Sequence, residues 1–87
     1  MQLTPINSSN IHSVGYDLDT RTMRVRFRDR TDRHGAVKPG GIYEHQDVPQ
    51  EAFDAFMAAE SKGAHYAQHI RRTGERGFEH RKVEDAL

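Results

Sequence analysis

The chain has 87 residues, of which 13 are basic, 13 acidic and 34% hydrophobic. This length fits one small domain and excludes two separately folding lobes, while a formal net charge of zero excludes a polybasic binder of the histone kind. Cysteine is absent, which removes disulfides, thiolate metal sites and thiol nucleophiles together and fits a cytoplasmic location.

Met1-Gln2-Leu3-Thr4-Pro5 has no basic start and no apolar run, so neither a signal peptide nor a membrane span is expected. Residues 1–10 are polar and read as an irregular lead-in. Residues 11–17 alternate loosely, with Val14 and Tyr16 on one face and Ser13 and Gly15 on the other, and predict a strand. Asp17-Leu18-Asp19-Thr20 supplies turn formers. Residues 23–28 then alternate strictly, which places Met23, Val25 and Phe27 on one face and Arg24, Arg26 and Arg28 on the other. The short polar link predicts a hairpin. Residues 29–41 hold Asp29, Asp32, Gly35, Pro39, Gly40 and Gly41 and read as a long loop.

Residues 42–48 predict the third strand, with Tyr43, His45 and Asp47 alternating against Ile42, Glu44 and Gln46. Asp47-Val48-Pro49-Gln50 resembles a helix start, with Asp47 as the cap and Gln50 as its capping-box partner. The first helix carries Phe53, Phe56 and Met57 at i, i+3 and i+4, with alanines that allow close packing. Ser61 suits the next cap. A second helix over 64–72 is expected to bury Tyr66 and Ile70. Beyond it the pattern dissolves, with Phe78 as the large apolar anchor before Val83. These elements predict an α+β fold, a three-stranded antiparallel β-meander with two C-terminal helices packed on one face. The expected domain spans 1–78, followed by a flexible charged tail over 79–87.

Charge is segregated along the chain. Residues 1–40 hold seven cations and four anions, 41–60 hold five anions and no cation, and 61–87 hold six cations and four anions. Ten of the thirteen cations are arginine, which favours planar, bidentate contacts. With the helices on the Val14, Tyr16, Met23, Val25, Phe27 and Tyr43 face, the arginine row faces away from them. Its side chains recur every ~6.6–6.8 Å, twice the strand rise, a spacing that suits a phosphate backbone. Arg71 and Arg72, with Arg76, extend this candidate surface. The same face holds Glu44 for cross-strand pairing and offers no aromatic ring for base stacking.

Other chemistries are weaker. His65 and His69 stand at i, i+4, as a zinc site requires, but their third ligand would have to come from Glu60 or His45 and no cysteine helps. No metal site and no cofactor are therefore expected. Ser61 and Lys62 are adjacent on a helix and do not face each other, so they do not form a nucleophile–base pair. No catalytic residue is assigned.

One ordered set of motifs runs along the chain: Ser8-Ser9, Gly15-Tyr16-Asp17, Met23-x-Val25-x-Phe27, Tyr43-Glu44-His45, Val48-Pro49, Ala59-x-Ser61-Lys62-Gly63 and Ile70-Arg71. In these residues the chain resembles the KTSC domain family, the lysyl-tRNA synthetase C-terminal-like domain that also occurs as stand-alone bacterial proteins. It departs from the family's pattern at His45, where a second tyrosine is usual, and over 29–41, where a short glycine turn is usual. The resemblance implies a small α+β domain and, through the synthetase association, an RNA partner. The expectation is a non-catalytic binding module for RNA or another nucleic acid, with a protein partner or self-association as the alternative. Neither a membrane nor a small-molecule substrate is expected.

Overall fold

Strict alternation in one strand sets the architecture. Met23 and Val25 are fully buried and Phe27 packs against the same core, so Arg24 and Arg26 fall on the opposite side of the sheet. The structure is a computed structural model and describes residues 1–71 and 77–83. Its elements are β1 (Thr4–Pro5), β2 (Ile11–Asp17), β3 (Thr22–Phe27), β4 (Arg30–Thr31), β5 (Val37–Lys38), β6 (Ile42–His45), α1 (Gln50–Ala58), α2 (Lys62–His65), a π-helical turn (Tyr66–Ile70) and β7 (His80–Val83).

The fold class is α+β. The expected meander is β2-β3-β6, and the main sheet extends it at both edges in the order β1-β2-β3-β6-β7, antiparallel throughout. The helical elements cover one face. Phe56, Tyr66 and Ile70 close a core with Val14, Met23 and Val25, and Tyr16 stacks on Phe53 with ring centroids 4.8 Å apart. The Tyr16 hydroxyl also donates to the Val48 carbonyl at 2.5 Å, tying the sheet to the start of α1.

The loose alternation of β2 has a physical cause. Ile11 pairs with Phe27 and Ser13 with Arg26, so a β-bulge falls between them. The extra residue flips Ile11 onto the core side, where it is fully buried beside Val14. On the other face Gly15 is buried under the lead-in. A Cβ there would lie 2.7 Å from the Gln2 carbonyl oxygen and 3.1 Å from the Leu3 side chain.

Three expectations are corrected. Asp47 does not cap α1, because it turns the chain in a left-handed conformation at φ 56. The N-cap is Pro49, which has no side chain able to accept a hydrogen bond. Ser61 does cap α2, accepting from the Ala64 amide at 3.4 Å. The loop over 29–41 contains a two-stranded ribbon, β4–β5. Asp32 builds its turn by accepting from the His34 amide at 2.8 Å and the Ala36 amide at 3.0 Å. The tail expected from residue 79 differs in its described part, since His80–Val83 pair along β6. The open hydrogen-bonding edge of β6 provides the template that the polar sequence of this segment does not reveal by itself.

Candidate binding cleft and the arginine face

The row of arginines is divided by its neighbours. Arg24 stands opposite Glu44 in the β3–β6 register, and Glu44 stands opposite Arg81 across β6–β7. The Arg24 guanidinium donates through Nε and Nη2 to Glu44 Oε2, with the Nε bond at 2.9 Å, and Arg81 donates to Oε1 at 2.9 Å. One buried carboxylate therefore sits between two cations. The Arg24 hydrogen bond holds the Glu44 carboxyl below its ordinary range against the opposing effect of burial, with help from the Arg24 and Arg81 charges. Arg26 lies on this face between Ser13 and Ile42. Arg28 lies beyond the end of β3. Its Nε donates to the Ser8 carbonyl at 2.8 Å, which anchors the lead-in.

A cleft of about 600 Å³ opens at the helix-bearing side, and Arg28 and Arg71 are on its wall. Of the other candidates, Arg24 and Arg26 are not part of it, and Arg72 lies outside the described residues, as does Arg76. Among the described residues, Arg30 and Lys82 complete a rim of four cations, with Asp29 as its one carboxylate.

The floor is aromatic. Phe27, in β3, meets Tyr43, in β6, edge to face at 5.8 Å, and meets Tyr66, in the π-helical turn, at 5.4 Å. Tyr43 meets His80 of β7 at 5.6 Å. These side chains converge because Tyr43 lies on the face of β6 that follows Val25 in register, and because β7 brings His80 and Lys82 onto that same face. Beneath the floor His45 is fully buried. Desolvation lowers its pKa, partly offset by its hydrogen bond to the Phe78 carbonyl and reinforced by the nearby His80. Burial pushes the Tyr66 hydroxyl up to about 12, so it remains a protonated donor.

Gly40 sets the shape of one wall. A Cβ at this position would run into the backbone carbonyls of Phe27 and Arg28, so the chain passes flush against the end of β3. Sequence reasoning missed Tyr43 and Phe27 as site residues by assigning both wholly to the core. It missed His80 and Lys82 because a four-residue strand with one apolar side chain carries almost no period-two signal.

His65 and His69 have ring centroids 4.5 Å apart. Desolvation and the His69 charge lower the His65 pKa. Among the described residues no group of three or more histidine, aspartate or glutamate side chains gathers to hold a metal. His45, one suggested third ligand, is bonded to Tyr66. No helix among the described residues is long and apolar enough to cross a membrane.

The fold and cleft define a small α+β domain whose antiparallel sheet is helix-covered on one face and opens there into an aromatic-floored, cation-rimmed cleft. A family model described as the KTSC domain matches residues 7–73, and the chain belongs to that family. The crystal structure of a KTSC domain protein from Yersinia pestis superposes with a TM-score of 0.71 at 34% identity, covering 94% of this chain and 96% of that one. An uncharacterized protein from Stutzerimonas stutzeri (strain A1501) is 29% identical over 68 residues, which is 78% of this chain and 82% of the relative. A protein from Tsukamurella paurometabola is 34% identical over 61 residues, 70% of this chain and 76% of the relative.

Proposed function

We propose that the chain is a non-catalytic cytoplasmic module that binds nucleic acid, with RNA as the leading partner, and that the cleft is its contact surface. The observation that carries this reading is the meeting of aromatic side chains and four cations around one opening. Phosphodiester oxygens pair with Arg28, Arg30, Arg71 and Lys82, and an unpaired base lies against the Tyr43 and Phe27 rings. The strand face with Arg24 is the poorer surface, since Glu44 already occupies that guanidinium and no aromatic ring among the described residues accompanies it.

Fluorescence anisotropy with a U-rich single-stranded RNA across a salt series tests this. Three or four phosphate contacts give a log–log slope of roughly −2 to −3 for a single strand. Arg71→Glu with Lys82→Glu abolishes binding, and Arg26→Gln, on the opposite face, leaves it unchanged. Absence of binding at low salt overturns the reading, as does an equal loss with Arg26→Gln. A protein partner or a second copy then takes its place, and concentration-dependent sedimentation separates the two.

A further inference from the structure

The β4–β5 ribbon adjoins the cleft, and its chemistry is arranged outward. Asp32 is committed to the turn through two backbone amides, and the turn is closed further by Asp32 N–H to the Ala36 carbonyl at 2.9 Å. Asp29 accepts from the Gly40 amide at 3.1 Å at the root. Both carboxylates of the ribbon thus brace its backbone. Arg30, Arg33 and Lys38 are exposed, and none of them forms an ion pair among the described residues. Arg30 and Lys38 are register partners at the root, and Arg33 stands in the turn at the tip.

Arg30, Pro39 and Gly40 belong both to the ribbon's root and to the cleft wall. Among the described residues, cleft and ribbon together carry six cations against two carboxylates, in a chain whose net charge is zero. A turn pre-built by its own side chain loses little freedom when it seats on a partner. A paired RNA stem hides its bases in a deep, narrow major groove and offers its phosphates to exposed cations.

We propose that the ribbon is a second contact arm that seats on the backbone of a paired stem, so that the preferred ligand is an RNA in which a duplex meets a single strand. This rests on the reading of the cleft as a nucleic-acid site. Bases held in a stack cannot turn into a floor lined by side chains, whereas an unpaired strand can splay its bases there. A single strand leaving a stem then enters the cleft while the stem lies along the ribbon.

The test uses the whole chain and three RNA probes: a U-rich single strand, a blunt duplex, and that duplex carrying the same strand as an overhang. The expected result is that the overhang probe binds at least about ten-fold more tightly than either part, a difference of about 1.4 kcal/mol. Arg33→Glu with Lys38→Glu removes that gain and leaves single-strand binding unchanged. Both residues are exposed, and an unchanged melting curve verifies folding. If the overhang probe binds no better than the single strand, or the ribbon variant weakens both equally, the arm is overturned while the cleft reading stands. If the cleft variant Arg71→Glu with Lys82→Glu leaves single-strand binding intact, the cleft reading itself fails.

Discussion

The Tyr66 hydroxyl donates to Nε2 of His45 at 2.9 Å, beneath the floor of the cleft. The tautomer follows from the other side of the ring. Nδ1 lies 3.1 Å from the Phe78 carbonyl, which can only accept, so Nδ1 carries the proton and Nε2 receives one. The pair joins the π-helical turn to β6 and to the segment leading into β7. Tyr66→Phe keeps the ring contacts with Phe27 and strips the donor from a fully buried imidazole. An unsatisfied buried group costs about 1–3 kcal/mol, so the unfolding free energy falls by that amount and the urea midpoint drops with the slope unchanged. An unaltered midpoint would show that this bond does not hold His45.

Acid lowers stability in two stages. The folded pKa of His45 lies below 6.5 because burial disfavours the imidazolium, aided by His80 and opposed by the Phe78 bond. Between that depressed value and 6.5 the unfolded chain binds more protons than the folded one, so stability falls as pH drops through this window and is full above it. Glu44 acts lower on the scale. Its folded pKa is below 4.5, chiefly through the Arg24 hydrogen bond, so its contribution is present above 4.5 and is lost as pH falls through the folded value. Urea titrations from neutral pH downward check both stages, and His45→Gln diminishes the upper one, to which His65, also lowered by desolvation, contributes the remainder. A wild-type midpoint independent of pH across the histidine range refutes the assignment.

How much of this was legible follows the range of the interactions. The β3 alternation, the Phe53, Phe56 and Met57 set and the Ser61 cap are local, and each is where its spacing predicts. The β2 bulge is not local, because it depends on the offset of Ile11 against Phe27. The cleft draws on β3, β6, the π-helical turn and β7, and its rim joins residues from Arg28 to Lys82. No periodicity brings those positions together. Arg24, Arg26 and Arg28 read as one row, yet strand ends and cross-strand partners separate them. Glu44 neutralises Arg24, and β3 ends before Arg28.

The two ion pairs on Glu44 differ in environment, and a double-mutant cycle resolves them. The Arg24 side chain is 26% exposed and that of Arg81 is 67% exposed. Water and salt screen the outer pair, so the Arg81–Glu44 coupling falls at about 0.2–1 kcal/mol and shrinks with added salt. The Arg24–Glu44 coupling is larger, about 1.5–3 kcal/mol, as for a hydrogen bond to a charged group away from water. Equal couplings, or an Arg81 term insensitive to salt, contradict this ordering.

Truncation after Phe78 tests the C-terminal strand. Removal of the following residues strips the β7 ladder from β6, the Gln46 amide bond to the Glu79 carbonyl at 2.9 Å and the His80 ring from Tyr43. It also turns β6 into a sheet edge and takes Arg81 from Glu44. A few ladder hydrogen bonds at ~0.5–1.5 kcal/mol each make the loss on the order of 2–3 kcal/mol. The expected readout is a lower melting temperature, with amide protons of Ile42–His45 exchanging faster than in the full chain. A truncated chain that melts with the full one, with β6 equally protected, would mean that β7 adds nothing to the sheet, and the cleft would lose His80 and Lys82 as fixed parts of its wall.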